Sequence, residues 1–136
     1  AALTAITAFI LVVGMVYQVI LRFVWEPTGW QFVIDELLHT LIPLYVLMYW
    51  IIYAKRKALS IHQLVPWLLY PLGYAAFIVV RGHFSGFYPY PFVDIEEIGY
   101  SKALINFLII FAFIVLLMGL LFLIQRFFNT HPSKNY

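Results

Sequence analysis

The stretch KALINFLIIFAFIVLLMGLLFLIQRF, residues 102–127, decides the class of fold. A helix needs about 20 predominantly apolar residues to cross the roughly 30 Å hydrocarbon core of a membrane, and this stretch exceeds that length. The rest of the chain has the same character, because 65% of its 136 residues are hydrophobic and only 10% are charged. A soluble domain of this size cannot bury so much apolar surface, so the sequence predicts an all-α, polytopic membrane protein.

Four transmembrane helices are expected, in one helical domain that covers residues 1–136. Their approximate bounds are 3–23, 28–54, 64–80 and 102–127. Thr28 and Gln31 have the spacing of a capping box, which predicts the start of the second helix. Pro66 is suited to the first turn of the third helix, and Pro71 is expected to bend that helix.

Positive side chains predict the orientation of the chain in the cell membrane. Five of the eight lysines and arginines follow the second or the fourth helix, and three lie at the other ends of the helices. The positive-inside rule therefore predicts that both termini are cytoplasmic. All the acidic residues then lie on the outer side, namely Glu26, Asp35, Glu36, Asp94, Glu96 and Glu97.

Composition argues against several classes of function. The chain has no cysteine, which removes disulfides, thiol nucleophiles and thiolate metal sites. Its formal charge of +2 is too small and too scattered for a nucleic-acid-binding surface. No cofactor is expected. No metal site is expected either, because DELLH has one histidine, whereas the zinc signature H-E-x-x-H has two.

The stretch DELLHT, residues 35–40, carries the strongest functional signal. The spacing of Asp35, Glu36, His39 and Pro43 places all four on one face of the second helix. The acids are expected at the outer border of the hydrocarbon, with His39 roughly 6 Å deeper. Ionisable side chains inside a membrane are costly and usually functional. We therefore interpret His39 and Asp35 as candidate catalytic residues and Glu36 as a candidate substrate-binding residue. In the competing interpretation, the acids only mark the entry of the helix into the headgroups, and His39 only bonds across helices.

Other polar side chains are expected at a similar depth, namely Gln18, Arg81 and Asn106. The connection of residues 82–101 is long for a compact bundle and rich in aromatic side chains. It either forms an interfacial aromatic belt or closes over the outer mouth of the bundle, with Asp94 facing the polar side chains. Arg81, Asp94 and Asn106 are thus candidate substrate-binding residues. The competing interpretation makes Gln18 and Asn106 contacts between helices and pairs Arg81 with an acid or a lipid phosphate.

Three segments carry a resemblance to a known family: DELLHTLIPLYVLMYW, PWLLYPLGYAAFIVVRG and GFYPYPFVD. Together they resemble the bacterial integral membrane family nicknamed Pr-six-Pr, which is similar in turn to the androgen-induced membrane hydrolases of animals. In those hydrolases a threonine is the nucleophile, and a histidine assists it in cleaving fatty acid esters of hydroxy fatty acids. The resemblance implies that His39, followed by Pro43, is the assisting histidine. It also matches Tyr90 to the Tyr-Pro-Phe element of the family, which makes Tyr90 a candidate substrate-binding residue.

The resemblance further implies a six-helix fold, of which this sequence holds the C-terminal part. The segment with the nucleophilic threonine is then expected to precede residue 1. Thr4 and Thr7 do not replace it, because they are expected at the cytoplasmic end of the first helix, close to 20 Å from His39. Thr40 follows His39 directly, but neighbouring side chains on a helix point about 100° apart.

Three functions remain open on the sequence. The first is hydrolysis of a fatty acid ester drawn from the membrane lipids, with His39 as the general base and Asp35 orienting its imidazole. The second is a proton-coupled carrier that uses His39 and the acids as a relay, although the inner half of the membrane span offers no polar path. The third is a non-catalytic lipid-binding or scaffold protein, whose polar side chains only fix packing. A homo-oligomer is a further candidate assembly.

Overall fold

The computed structural model describes residues 1–24, 26–54 and 59–130. Its helices are α1 (Ala2–Val19), α2 (Trp30–Tyr53), α3 (Ile61–Ser85), the short α4 (Ile95–Ile98) and α5 (Tyr100–Thr130). No strand occurs within these ranges. The predicted all-α class is confirmed, and α1, α2, α3 and α5 are long and apolar enough to cross a membrane. Membrane insertion itself stays a prediction.

The outward faces of these helices carry many large apolar side chains. Val19, Phe84 and Leu116 are 71%, 85% and 70% exposed, and each belongs to one of the long helices. Such surface is costly in water when it is contiguous, but it costs nothing against lipid tails. The exposed side chains therefore agree with a multi-pass membrane protein.

α1 lies at the centre of the bundle, between α2 and α5. Its inward side carries small residues, since Ala5 and Ala8 are fully buried and Gly14 lies where α1 crosses α2. Small residues let helix backbones approach closely, which is a common basis of helix packing in membranes. The buried apolar cluster consists of Ala5, Ala8, Leu11, Trp50, Ala54, Leu64, Met118 and Leu121.

α2 contains one turn of π-helix, at Leu37–Leu41, between two α-helical segments. The N–H of Ile42 donates to the carbonyl of Leu37, five residues back instead of four. Pro43 explains the position of this turn, because proline has no N–H to donate and its ring crowds the carbonyl four residues before it. π turns are rare and frequently occur at functional sites. This one contains His39.

The capping box predicted at the start of α2 was wrong. The helix begins at Trp30, its N-cap is Gly29 with φ +60°, and no side chain caps it. A positive φ of this kind favours glycine, so Gly29 sets the start and Thr28 does not. A capping box does occur at the start of α3, where Ser60 and Gln63 satisfy each other's backbone N–H groups.

α3 is longer than predicted at both ends. It begins with two 3₁₀ turns, and its α-helical part is Leu69–Ser85. Pro66 lies in the first turn of the second 3₁₀ segment, as predicted. Pro71 lies in the first turn of the α-helical part, where a missing N–H costs little, and not inside a regular helix. Gly86, with φ +65°, ends α3, so the connection to α5 covers only residues 86–99 and includes α4.

Candidate functional site

Four polar side chains form a closed ring of hydrogen bonds, one from α1, one from the 3₁₀ turn Leu21–Phe23 that follows it, and two from α2. Arg22 donates to Gln18 Oε1 at 2.6 Å, and Gln18 Nε2 donates to Thr40 Oγ1 at 2.7 Å. Thr40 donates to Glu36 Oε2 at 2.8 Å, and Glu36 Oε1 lies 2.9 Å from Arg22 Nη2. We call these four residues the polar ring, and the end of the bundle where they lie the acidic end. Because a guanidinium only donates and a carboxylate only accepts, the direction of every bond in the ring is fixed.

The polar ring gives Glu36 a partner for each carboxylate oxygen. The side chains of Glu36 and Arg22 are 25% and 45% exposed, so this ion pair contributes modestly, about 1 kcal/mol or less. The pair also links the turn after α1 to α2 and so restricts how the two helices can rotate against each other. Each carboxylate oxygen keeps a further lone pair, so the predicted role of Glu36 in substrate binding stays a prediction.

His39 lies on the π turn, one residue before Thr40 of the polar ring. Its Nδ1 is 3.0 Å from the backbone carbonyl oxygen of Asp35 and 4.0 Å from Asp35 Oδ1. A carbonyl oxygen can only accept, so Nδ1 carries the proton of the neutral imidazole, and Nε2 keeps its lone pair. The predicted orienting group was the Asp35 carboxylate. The backbone carbonyl of Asp35 takes that place instead, and the carboxylate lies beyond hydrogen-bond length.

Two residues of α1 that the sequence interpretation missed lie directly against His39. The rings of Tyr17 and His39 are stacked, with centroids 4.0 Å apart and planes at 7°, and Tyr17 is only 4% exposed. Gly14 lies one turn earlier, where a Cβ atom would be 2.9 Å from the His39 carbonyl oxygen and 2.9 Å from Pro43 Cγ. The available signal was their spacing of three residues, which places them on one face of α1.

Asp94 and Asn106 organise the connection between α3 and α5. Asp94 Oδ1 accepts from the backbone N–H groups of Glu96 and Glu97, so this side chain caps α4. Its expected position facing the polar side chains of the long helices stays a prediction. Asn106 Nδ2 donates to the carbonyl of Phe92 at 2.9 Å and thereby ties the connection to α5. Both residues therefore have structural partners away from His39.

Arg81 and Tyr90 also make their contacts with this part of the chain. The Arg81 guanidinium lies 5.3 Å from the centroid of the Phe87 ring, and the Tyr90 hydroxyl is 3.2 Å from that of Tyr74. Among the described residues, neither side chain has a hydrogen bond, ion pair or ring contact with α2. The polar side chains expected at one depth therefore do not form one bonded group among the described residues, and their common depth stays a prediction.

Tyr90 provides a test of how the connection packs on α3. Burial and the hydrogen bond to Tyr74 raise the pKa of Tyr90 to about 12, from the ordinary value of 10.0. The folded protein favours the neutral Tyr90 hydroxyl. The contribution of this group to the free energy of unfolding is therefore complete below pH 10 and is lost as the pH rises towards 12. In tyrosinate absorbance at 295 nm, we expect Tyr90→Phe to remove a step near pH 12, and Tyr74→Phe to move that step towards pH 10. If Tyr90→Phe instead removes a titration step near the ordinary tyrosine pKa of 10.0, the described packing is contradicted.

A second set of polar groups, the buried network, joins three helices at the opposite end of the bundle. Thr4 Oγ1 donates to Gln125 Oε1 at 2.9 Å and accepts from Trp50 Nε1 at 3.1 Å. Gln125 Nε2 donates to the carbonyl of Ala54 at 2.7 Å, and all four residues are at most 7% exposed. The sequence interpretation did not predict this network. These side chains are buried and bonded across helices, which is expected of groups that hold helices together.

Two other observations bear on ligands. A cleft of about 300 Å³ lies at the end of α3 and is lined by Val79, Val80, His83, Phe84, Tyr88, Ile95 and Tyr100, away from His39. In the described part of the chain, no three His, Asp or Glu residues converge on a point that could hold a metal ion.

Comparison with protein-family models, curated proteins and solved structures finds no match to this chain. The resemblance to the Pr-six-Pr family, and the residue roles that it implies, therefore stay predictions.

Proposed function

We propose that this protein takes part in the hydrolysis of membrane lipid esters, with His39 as the general base. The observation that carries the proposal is the hydrogen bond between His39 Nδ1 and the Asp35 carbonyl. It leaves Nε2 as the proton acceptor, which is the form of imidazole that a general base requires. The resemblance to the Pr-six-Pr family gives the same role to His39.

The chemistry follows from this arrangement. Nε2 of His39 removes the proton of a hydroxyl nucleophile, whose oxygen attacks the ester carbonyl carbon. The resulting imidazolium returns the proton to the alcohol that leaves, and water then releases the acyl group. The Asp35 carboxylate, 4.0 Å from Nδ1, favours the charged imidazolium electrostatically. In the family the nucleophile is a threonine. Thr40 does not fit that role towards His39, because its hydroxyl proton is donated to Glu36.

The depth of the site suits such a substrate. His39 lies ten residues into α2 counting from Trp30, which is roughly 14 Å along the helix axis from its first residue. Its side chain is 21% exposed, so it is reached from outside the bundle. In the proposed orientation, the acidic end faces the outside of the cell and both termini are cytoplasmic.

A packing role is the second candidate, and the polar ring favours it. All four of its side chains are paired with one another across α1 and α2, which is expected of groups that only hold helices together. No comparable observation favours a proton-coupled carrier, because the buried network at the other end is paired within itself.

Hydrolysis of a panel of long-chain fatty acid esters tests the proposal. The protein is purified in lipid nanodiscs together with the threonine-bearing segment that the family resemblance places before residue 1. We expect His39→Asn to lower turnover by at least about 100-fold, because a general base contributes roughly that factor or more. His83→Asn is the matched control, since His83 is exposed and lies outside the polar ring and its neighbours. Equal turnover in wild type and His39→Asn, or none in either, would reject the hydrolase and leave the packing role.

A further inference from the structure

We infer that Tyr17 is a positioning residue for His39. Its buried phenol ring fixes the plane of the imidazole, so that Nδ1 stays on the Asp35 carbonyl and Nε2 keeps one direction. The inference rests on the proposed function for its catalytic meaning. Its geometric content can be tested without any turnover.

The hydrogen bond alone does not fix the imidazole. Rotation of a histidine ring about its second side-chain torsion is soft and roughly two-fold, so one bond at Nδ1 leaves other orientations accessible. A flat partner on the ring face removes that freedom. Tyr17 is such a partner, because its ring lies parallel to the imidazole within 7° at a centroid separation of 4.0 Å.

Tyr17 is itself held on both sides by contacts between α1 and α2. One turn before it, Gly14 brings the backbone of α1 against the His39 carbonyl and the Pro43 ring. One residue after it, the Gln18 amide belongs to the polar ring. Tyr17 is 4% exposed, so its ring has little room to move. The position of the phenol ring is therefore set by helix packing.

The stack also favours the charge that forms during proton transfer. The face of a tyrosine ring is electron-rich and attracts a cation placed over it. An imidazolium at His39 would have this face on one side and the Asp35 carboxylate 4.0 Å from Nδ1.

The test uses the full chain in lipid nanodiscs with ¹⁵N-labelled histidine. The chain has four histidines, and His39→Asn identifies the His39 signals. In wild type and Tyr17→Phe, we expect one tautomer, with the proton on Nδ1. In Tyr17→Leu, which removes the flat partner, we expect signals from both tautomers and a turnover lowered by about 10- to 100-fold. Tyr45→Leu is the control, because Tyr45 is 69% exposed on α2 and should change neither readout.

The outcomes separate this inference from the proposed function. A changed tautomer pattern in Tyr17→Leu, with no hydrolysis even in wild type, supports the positioning role and rejects the hydrolase. An unchanged pattern in folded Tyr17→Leu overturns the positioning role, and so does a Tyr17→Phe variant that behaves like Tyr17→Leu. If Tyr17→Leu does not fold, the NMR spectrum of the wild-type protein alone tests the positioning role. Its His39 ring protons should show an upfield ring-current shift and contacts with Tyr17, and their absence overturns the inference.

Discussion

Gly14→Ala is expected to destabilise the protein by about 2 kcal/mol, and Gly14→Leu by about 3 kcal/mol or more. The new Cβ would lie 2.9 Å from the His39 carbonyl oxygen, 2.9 Å from Pro43 Cγ and 3.1 Å from Pro43 Cβ. A backbone carbonyl and a proline ring cannot rotate aside, so α1 and α2 must separate. The better helix propensity of alanine, worth about 1 kcal/mol, offsets only part of this cost.

Unfolding followed by circular dichroism in detergent measures the effect of Gly14→Ala. Gly73→Ala and Gly119→Ala are matched controls in α3 and α5, because a Cβ at either position has no described atom within 4 Å. Both controls should be neutral or slightly more stable than wild type. Equal stability of Gly14→Ala and the controls would show that α1 and α2 do not approach each other as described.

Thr4→Val is expected to cost about 1–2 kcal/mol, although it changes the shape of the side chain very little. The substitution removes the hydroxyl that accepts from Trp50 Nε1 and donates to Gln125 Oε1. Buried polar groups that lose a partner cost about 1–3 kcal/mol, and hydrogen bonds between membrane helices fall towards the low end of that range.

Thr7→Val is the control for the buried network. Thr7 is as buried as Thr4 and lies one turn further along α1, but its hydroxyl donates only to the Leu3 carbonyl of the same helix. We expect a much smaller loss of stability from Thr7→Val. Thr4→Val and Gln125→Leu together should cost less than the sum of the two single changes, because both break the same bond. Strict additivity, or equal losses from Thr4→Val and Thr7→Val, would contradict a network across helices.

Length and composition were sufficient to predict the helices, because each membrane span must satisfy its own backbone and must be apolar along its length. The residues at which the helices begin and end were harder to predict. Thr28 and Gln31 fit a capping box, but Gly29 between them adopts a positive φ, which no spacing rule reveals. The π turn was missed since a period of 3.6 residues was assumed, although Pro43 was its signal.

The candidate site was found only in part for a related reason. Spacing within one helix predicts which side chains share a face, and it correctly drew attention to DELLHT. It does not predict which faces of two helices meet. The pairing of Gln18 with Thr40, and of Arg22 with Glu36, therefore required the structure. An expected common depth also does not predict contact, since Asn106 bonds to the connection before α5 and not to α2.

The polar ring and the buried network differ in how early their hydrogen bonds can form during biosynthesis. The polar ring lies wholly between residues 18 and 40, so it can close once α1 and α2 have paired. Thr4 and Trp50 can bond at the same stage, but the Ala54 carbonyl gains its Gln125 donor only when α5 is in place. In a chain inserted in sequence order, the surroundings of His39 are thus assembled first. α5, which is made after α1 and α2, then completes the opposite end of the bundle.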